Sequence, residues 1–117
     1  DMRTLLQQSE AGDEKALLAI EMYCYRIRKY IGAYVAALEK TDAIIFTGGV
    51  GENAAPIRKR IVDKLGPFGI ALDNARNEGV SGDCSCISTA QSPVPVLVIA
   101  TNEELEMALQ VGALLQA

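Results

Sequence analysis

The stretch Asp42-Ala-Ile-Ile-Phe-Thr-Gly-Gly-Val-Gly-Glu-Asn53 constrains this chain more than any other. Ile44-Ile45-Phe46 has no polar face, which suits a buried strand, most naturally in a parallel sheet. Gly48, Gly49 and Gly51 follow at once. Glycine accepts positive φ and lets backbone come close to another group. Asn53 then reads as the cap of a helix with Pro56 in its first turn, where the missing N–H costs little. A glycine turn between a strand end and a helix start is a natural phosphate site. The bare G-G-x-G string fits a plain tight turn equally well.

Two longer phosphate motifs are excluded. A Walker A loop needs G-x-x-x-x-G-K-[ST], and no Lys-Ser or Lys-Thr pair follows these glycines. The dinucleotide fingerprint G-x-G-x-x-G is matched only in its first half, by Gly49-Val-Gly51.

The flanking chain supplies helices on both sides. Met2 to Gln8 reads as a short helix, broken by Gly12, with Asp13 capping the next one. That second helix runs from about Glu14 to Glu39. Ile20, Cys24, Ile27, Ile31, Tyr34 and Leu38 recur at helical steps and give one apolar stripe. Tyr23, Tyr25, Tyr30 and Tyr34 invite a stacking site, but packing with the hydroxyls at the core edge explains them better. Beyond the glycines, Ile57, Ile61 and Leu65 mark a third helical face, with Gly66 as its stop. Arg58, Lys59, Arg60 and Lys64 read as its solvated side, with Arg58 near enough to the glycine loop to meet a phosphate. Phe68 to Leu72 reads as a strand, Asp73 to Gly79 as a helical turn, and Val80 to Ser85 as an exposed loop. Ile87 to Thr89 is a further strand candidate.

Val94 to Ala100 is a second buried strand, followed by a helix that opens at Thr101-Asn-Glu-Glu104. Thr101 and Glu104 have capping-box spacing, which accounts for Glu104 but leaves Glu103 open. The helix dipole alone also favours an acid there. Two buried strands, each leading into a helix, point to an α/β layer with both helix starts at the carboxyl edge of the sheet.

The chain has 117 residues, enough for one modest domain, and half of them are apolar. A net charge of −4 argues against non-specific nucleic-acid binding. No apolar run is long enough to span a bilayer, and no signal-peptide pattern is present. Cys24, Cys84 and Cys86 form no disulfide framework, which points to the cytoplasm. Cys84-Ser-Cys86 is a weak metal motif, since tetrahedral zinc needs four ligands. The chain has no histidine and starts at Asp1, both of which suit a piece of something larger.

The complete string Phe46-Thr-Gly-Gly-Val-Gly-Glu-Asn53 is far more specific than its glycines. It resembles the F-T-[GA]-G-[IV]-G-E-N segment of the acetate kinase family, which includes the propionate kinases. Ile57-Arg58, Phe68-Gly69-Ile70 and Tyr25 to Tyr34 resemble that family's continuation, and Val98-Ile-Ala-Thr-Asn-Glu-Glu-Leu105 resembles its V-I-P-T-[ND]-E-E-L segment, with Ala100 replacing the usual proline. The resemblance implies part of a ribonuclease-H-like domain of the acetate and sugar kinase/Hsp70/actin superfamily. Residues 1–117 would then be the C-terminal, nucleotide-binding portion of a two-domain kinase that moves the γ-phosphoryl of ATP reversibly to a short-chain carboxylate, giving an acyl phosphate and ADP.

Carried over by motif, Gly49, Val50, Gly51, Glu52 and Asn53 match the family's ATP loop. Asp1, Met2 and Arg3 resemble the S-D-[MFL]-R segment beside the adenosine, and Glu103 matches the glutamate near Mg2+. By the same resemblance, the family's asparagine that helps hold the metal, and the two arginines, histidine and aspartate around the carboxylate and the transferring phosphoryl, would come from sequence preceding Asp1. The resemblance therefore implies that this chain alone lacks kinase activity and that the intact parent is a homodimer. A butyrate-kinase-like enzyme of the same fold, or a non-catalytic nucleotide-binding or dimerisation module, is the alternative.

Overall fold

The computed structural model describes residues 1–116, with only the backbone described at Glu103. In chain order the elements are α1 (Met2–Glu10), α2 (Glu14–Ala37), β1 (Ile44–Phe46), α3 (Gly48–Asn53), α4 (Ala55–Val62), a 3-10 turn over Gly66–Phe68, α5 (Asn74–Glu78), β2 (Cys84–Cys86), β3 (Val96–Ile99) and α6 (Glu103–Gln116).

Short acidic or amide side chains start four of the helices. Asp1 accepts from Arg3 N at 3.0 Å and Asp13 from Lys15 N at 2.9 Å. Asp73 accepts from Arg76 N and Asn102 from Leu105 N, each at 3.0 Å. Each cap satisfies a helix-end N–H that has no partner inside the helix. Asn102 thus takes the cap position predicted for Thr101, whose hydroxyl donates to Glu52 instead.

Among the described residues the sheet has three strands in the order β1–β3–β2. β1 and β3 are parallel, with Ile44 opposite Val96 and Phe46 opposite Val98, as the sequence predicts. β2 runs antiparallel to β3, with Cys86 opposite Leu97. β2 therefore starts at the end of the segment predicted as a loop, Val80 to Ser85, and runs one residue past it. The predicted strand at Phe68–Leu72 is instead the 3-10 turn followed by a single bridge, Leu72 to Ser88. Gly69, at φ +77°, turns the chain there in a conformation that costs glycine little.

The core has two connected parts. Ile20 and Cys24 of α2 pack with Ala54, Ile57 and Ile61. Val62, Leu65, Ile70 and Ile87 pack with Val96 and Val98 of β3. α4 feeds both parts, while Phe46 and Ile31 bridge them. Each fully buried isoleucine contributes about 1.5–3 kcal/mol through burial.

Two expectations are corrected here. Ile45 is 53% exposed, so only one face of β1 is covered within this chain. Tyr23, Tyr25, Tyr30 and Tyr34 lie on the exposed side of α2, and Leu38 is exposed too. The apolar stripe meets α4 only as far as about Ile31, beyond which α2 projects past the core. Among the described residues no helix is long and apolar enough to cross a membrane.

Candidate functional site

Parallel pairing brings the exits of β1 and β3 side by side, so α3 and α6 start at the same edge of the sheet. Thr47 fastens that edge by donating its hydroxyl to Ile99 O at 2.8 Å. Its side chain therefore does not cap α3. Glu52 adds a second tie, accepting from Thr101 N at 3.4 Å and from Thr101 Oγ1 at 3.2 Å.

The three glycines do different jobs. Gly48 turns the chain out of β1 at φ +76°. At Gly51 a Cβ would lie 3.3 Å from the Phe46 carbonyl carbon, so this glycine lets α3 pack on β1. Nothing lies within 4 Å of a Cβ built at Gly49, which borders open space.

The predicted glycine loop is thus itself the short helix α3. Asn53 closes that helix instead of capping the next one, donating Nδ2 to Gly49 O at 2.9 Å. α4 starts at Ala55, with Ala54 at the cap position and no side-chain cap.

Arg58 departs most from expectation. It is 2% exposed and points away from solvent. Its Nη1 donates to Gly51 O at 2.9 Å and to Glu52 O at 3.0 Å. Its Nε and Nη2 donate to Asn77 Oδ1 and Asn77 O, each at 2.7 Å. Burial pushes its guanidinium below the usual value. The remaining basic residues do face outward: Lys59 pairs with Asp63 and Arg60 with Glu21.

Across the surface of α3, Asp1, Met2 and Arg3 at the start of α1 face Gly49, Val50 and Asn53 over a cleft of about 410 Å³. A second cleft, also about 410 Å³, opens between Gly48, Gly49 and the Thr101-Asn102-Glu104 segment. Gly49 borders both. Gly51 and Glu52 line neither; they are used in packing on Phe46 and in bonding Thr101. The side chain of Glu103 lies outside the described residues, although its backbone begins α6 beside the second cleft. Cys84 and Cys86 sit on β2, both exposed.

The profile of the acetokinase family matches residues 1–109. This chain belongs to the acetokinase family. The acetokinase-family chain is 53% identical to an acetate kinase of Syntrophobacter fumaroxidans over 94% of its own length, which is 27% of that relative. The solved acetate kinase of Porphyromonas gingivalis superposes with a TM-score of 0.87 at 41% identity, covering 98% of this chain and 29% of that one. A propionate kinase from Francisella tularensis superposes at 0.82 with 43% identity, covering 90% of this chain and 26% of that one. The chain thus spans little more than a quarter of the length of the relatives it matches. Its α/β fold is the one seen in those acetate kinases.

Sequence reasoning missed three residues at this acetokinase-family site: Asn77, Arg58 in its buried role, and Thr101 as the partner of Glu52. A signal existed for Arg58. Arg58, Val62 and Leu65 fall at i, i+4 and i+7, the spacing of a single buried face.

Proposed function

We propose that this chain is the nucleotide-holding portion of a two-domain, ATP-dependent carboxylate kinase acting on acetate or propionate. The observation that carries this reading is the cleft that gathers Asp1, Met2 and Arg3 opposite Gly49, Val50 and Asn53, residues from two segments more than forty positions apart. Its size suits part of a nucleotide, and ligands in such sheets bind outside the carboxyl ends of the strands. The adenosine side would lie against α1 and the phosphate side along α3. Gly51 and Glu52 would serve from behind, by holding α3 in place.

Mg2+ would sit on the Glu103 side, at the second cleft, which is bordered by Asn102 and Glu104. A bound Mg2+ neutralises phosphate oxygens while keeping most of its waters, so one protein carboxylate is enough chemistry on this side. Transfer itself needs charge and proximity at the acceptor carboxylate. The chain has no histidine and none of the arginines that the resemblance places around the acceptor, so alone it would bind nucleotide without making acyl phosphate. Cytoplasmic location and homodimer assembly of the parent belong to the same proposal, as does the absence of nucleic-acid or membrane partners.

Calorimetric titration of the 117-residue chain with ATP, with and without Mg2+, tests this reading. Saturable binding that tightens with Mg2+ is expected. No binding in either condition, or acyl phosphate formation by the chain alone in a coupled assay, would overturn it.

A further inference from the structure

α3 is a poor helix on its own terms. It has six residues, and Gly48, Gly49 and Gly51 are half of them. Only proline forms helices less readily than glycine. The last backbone bond leaving α3 runs from Ala54 N to Val50 O at 3.0 Å. The carbonyls of Gly51 and Glu52 lie beyond it and need donors from elsewhere.

Arg58 supplies both, from one nitrogen of its guanidinium. The other edge of the same planar group is locked on Asn77, which in turn donates Nδ2 to Ala55 O at 3.0 Å. Arg58 and Asn77 are each 2% exposed. Among the described residues no carboxylate lies within ion-pair distance of Arg58. A buried cation is costly without full hydrogen bonding, and here neutral oxygens supply all of it. Lysine cannot copy the arrangement, since it lacks the rigid fork.

We infer that Arg58 is a positioning residue for the nucleotide: braced by Asn77, it holds the Gly51 and Glu52 carbonyls, keeps α3 helical, and so keeps Gly49, Val50 and Asn53 facing α1 across the cleft. This rests on the nucleotide reading of that cleft and adds to it a brace from α5, an element that does not line the cleft.

Arg58→Lys and the milder Asn77→Ser test it, on amide hydrogen exchange without nucleotide and on ATP affinity by titration. In Arg58→Lys, exchange at Glu52, Asn53 and Ala54 should quicken while Val96 and Val98 keep their protection, and ATP affinity should fall on the order of tenfold. Asn77→Ser, which removes the Oδ1 anchor but not the backbone carbonyl, should shift both readouts in the same direction by less. If Arg58→Lys does not fold, Asn77→Ser decides alone. Unchanged loop exchange, loop and core exchange rising together, or unchanged ATP affinity would each overturn the inference. If the unsubstituted chain binds no ATP, the cleft reading fails, and loop exchange still decides whether Arg58 governs α3.

Discussion

The Glu52 carboxylate accepts from both the N–H and the hydroxyl of Thr101, at 3.4 Å and 3.2 Å, and thereby joins the exits of the two parallel strands across forty-nine positions of sequence. Replacing Thr101 by valine keeps the shape and removes the stronger donor. We expect a loss of about 0.5–1 kcal/mol in urea unfolding, small because the pair is solvent-exposed. ATP affinity should fall with it, since the same tie sets the spacing of the second cleft. A variant as stable and as tight-binding as the parent would show that this link positions nothing.

The glycines should respond separately. Gly51→Ala forces a Cβ to 3.3 Å from the Phe46 carbonyl carbon, a backbone atom that cannot step aside. A loss of about 1–3 kcal/mol is expected from such overpacking. Gly49→Leu places its Cβ in open space and replaces a poor helix former with a good one, so the melting temperature should hold or rise. Its side chain must nevertheless enter one of the two clefts Gly49 borders, so ATP binding should weaken. Thermal melts and titrations on the two variants should therefore separate folding from binding.

Core and periphery should differ sharply. Ile61, 1% exposed, packs among Ile20, Cys24 and Ile57, and Ile61→Ala should cost about 2–5 kcal/mol through lost burial and a residual cavity. Leu115 is 82% exposed on α6, and Leu115→Ala should stay within about 0.5 kcal/mol. Denaturant midpoints of the two variants check this contrast.

The cysteines should label in a fixed order. The Ser88 hydroxyl, 3.4 Å from Cys86 Sγ, holds that thiol below its ordinary value of 9.0. Burial, followed by the nearby Glu21 charge, pushes the Cys24 thiol up from the same value. Thiolate is the reactive form, so lowering the pKa moves reactivity to lower pH. Iodoacetamide should modify Cys86 below pH 9 while buried Cys24 stays unreacted in the folded chain, with mass spectrometry reading each site. Cys86 labelling confined to higher pH would contradict this assignment.

Much of the architecture was legible in the residues. Asp13 and Asp73 mark helix starts that the chain uses, and Ile44-Ile45-Phe46 and Val96 to Ile99 become the parallel pair. These signals are local: a cap reaches its own first turn, and a strand's pattern is read along the strand. The β2 strand was not legible, because Cys84-Ser-Cys86 carries little pattern and pairs only once β3 is in place. Nor was the crowding of α3 onto Phe46, which makes Gly51 a packing residue. The exposure of Ile45 and the α2 tyrosines also escaped the pattern, since periodicity marks an apolar face without saying how far a neighbour covers it.

By itself the sequence determined the parallel strand pair, the strand–glycine–helix junction and the family, because each is written in contiguous residues. Only the tertiary structure decided that Arg58 turns inward. A guanidinium is buried only where enough oxygens converge on it. Here those oxygens come from Gly51 and Glu52, one helix back, and from Asn77, nineteen positions on. Nothing in the charge pattern around Arg58 encodes that convergence; it exists only once α3, α4 and α5 have packed together.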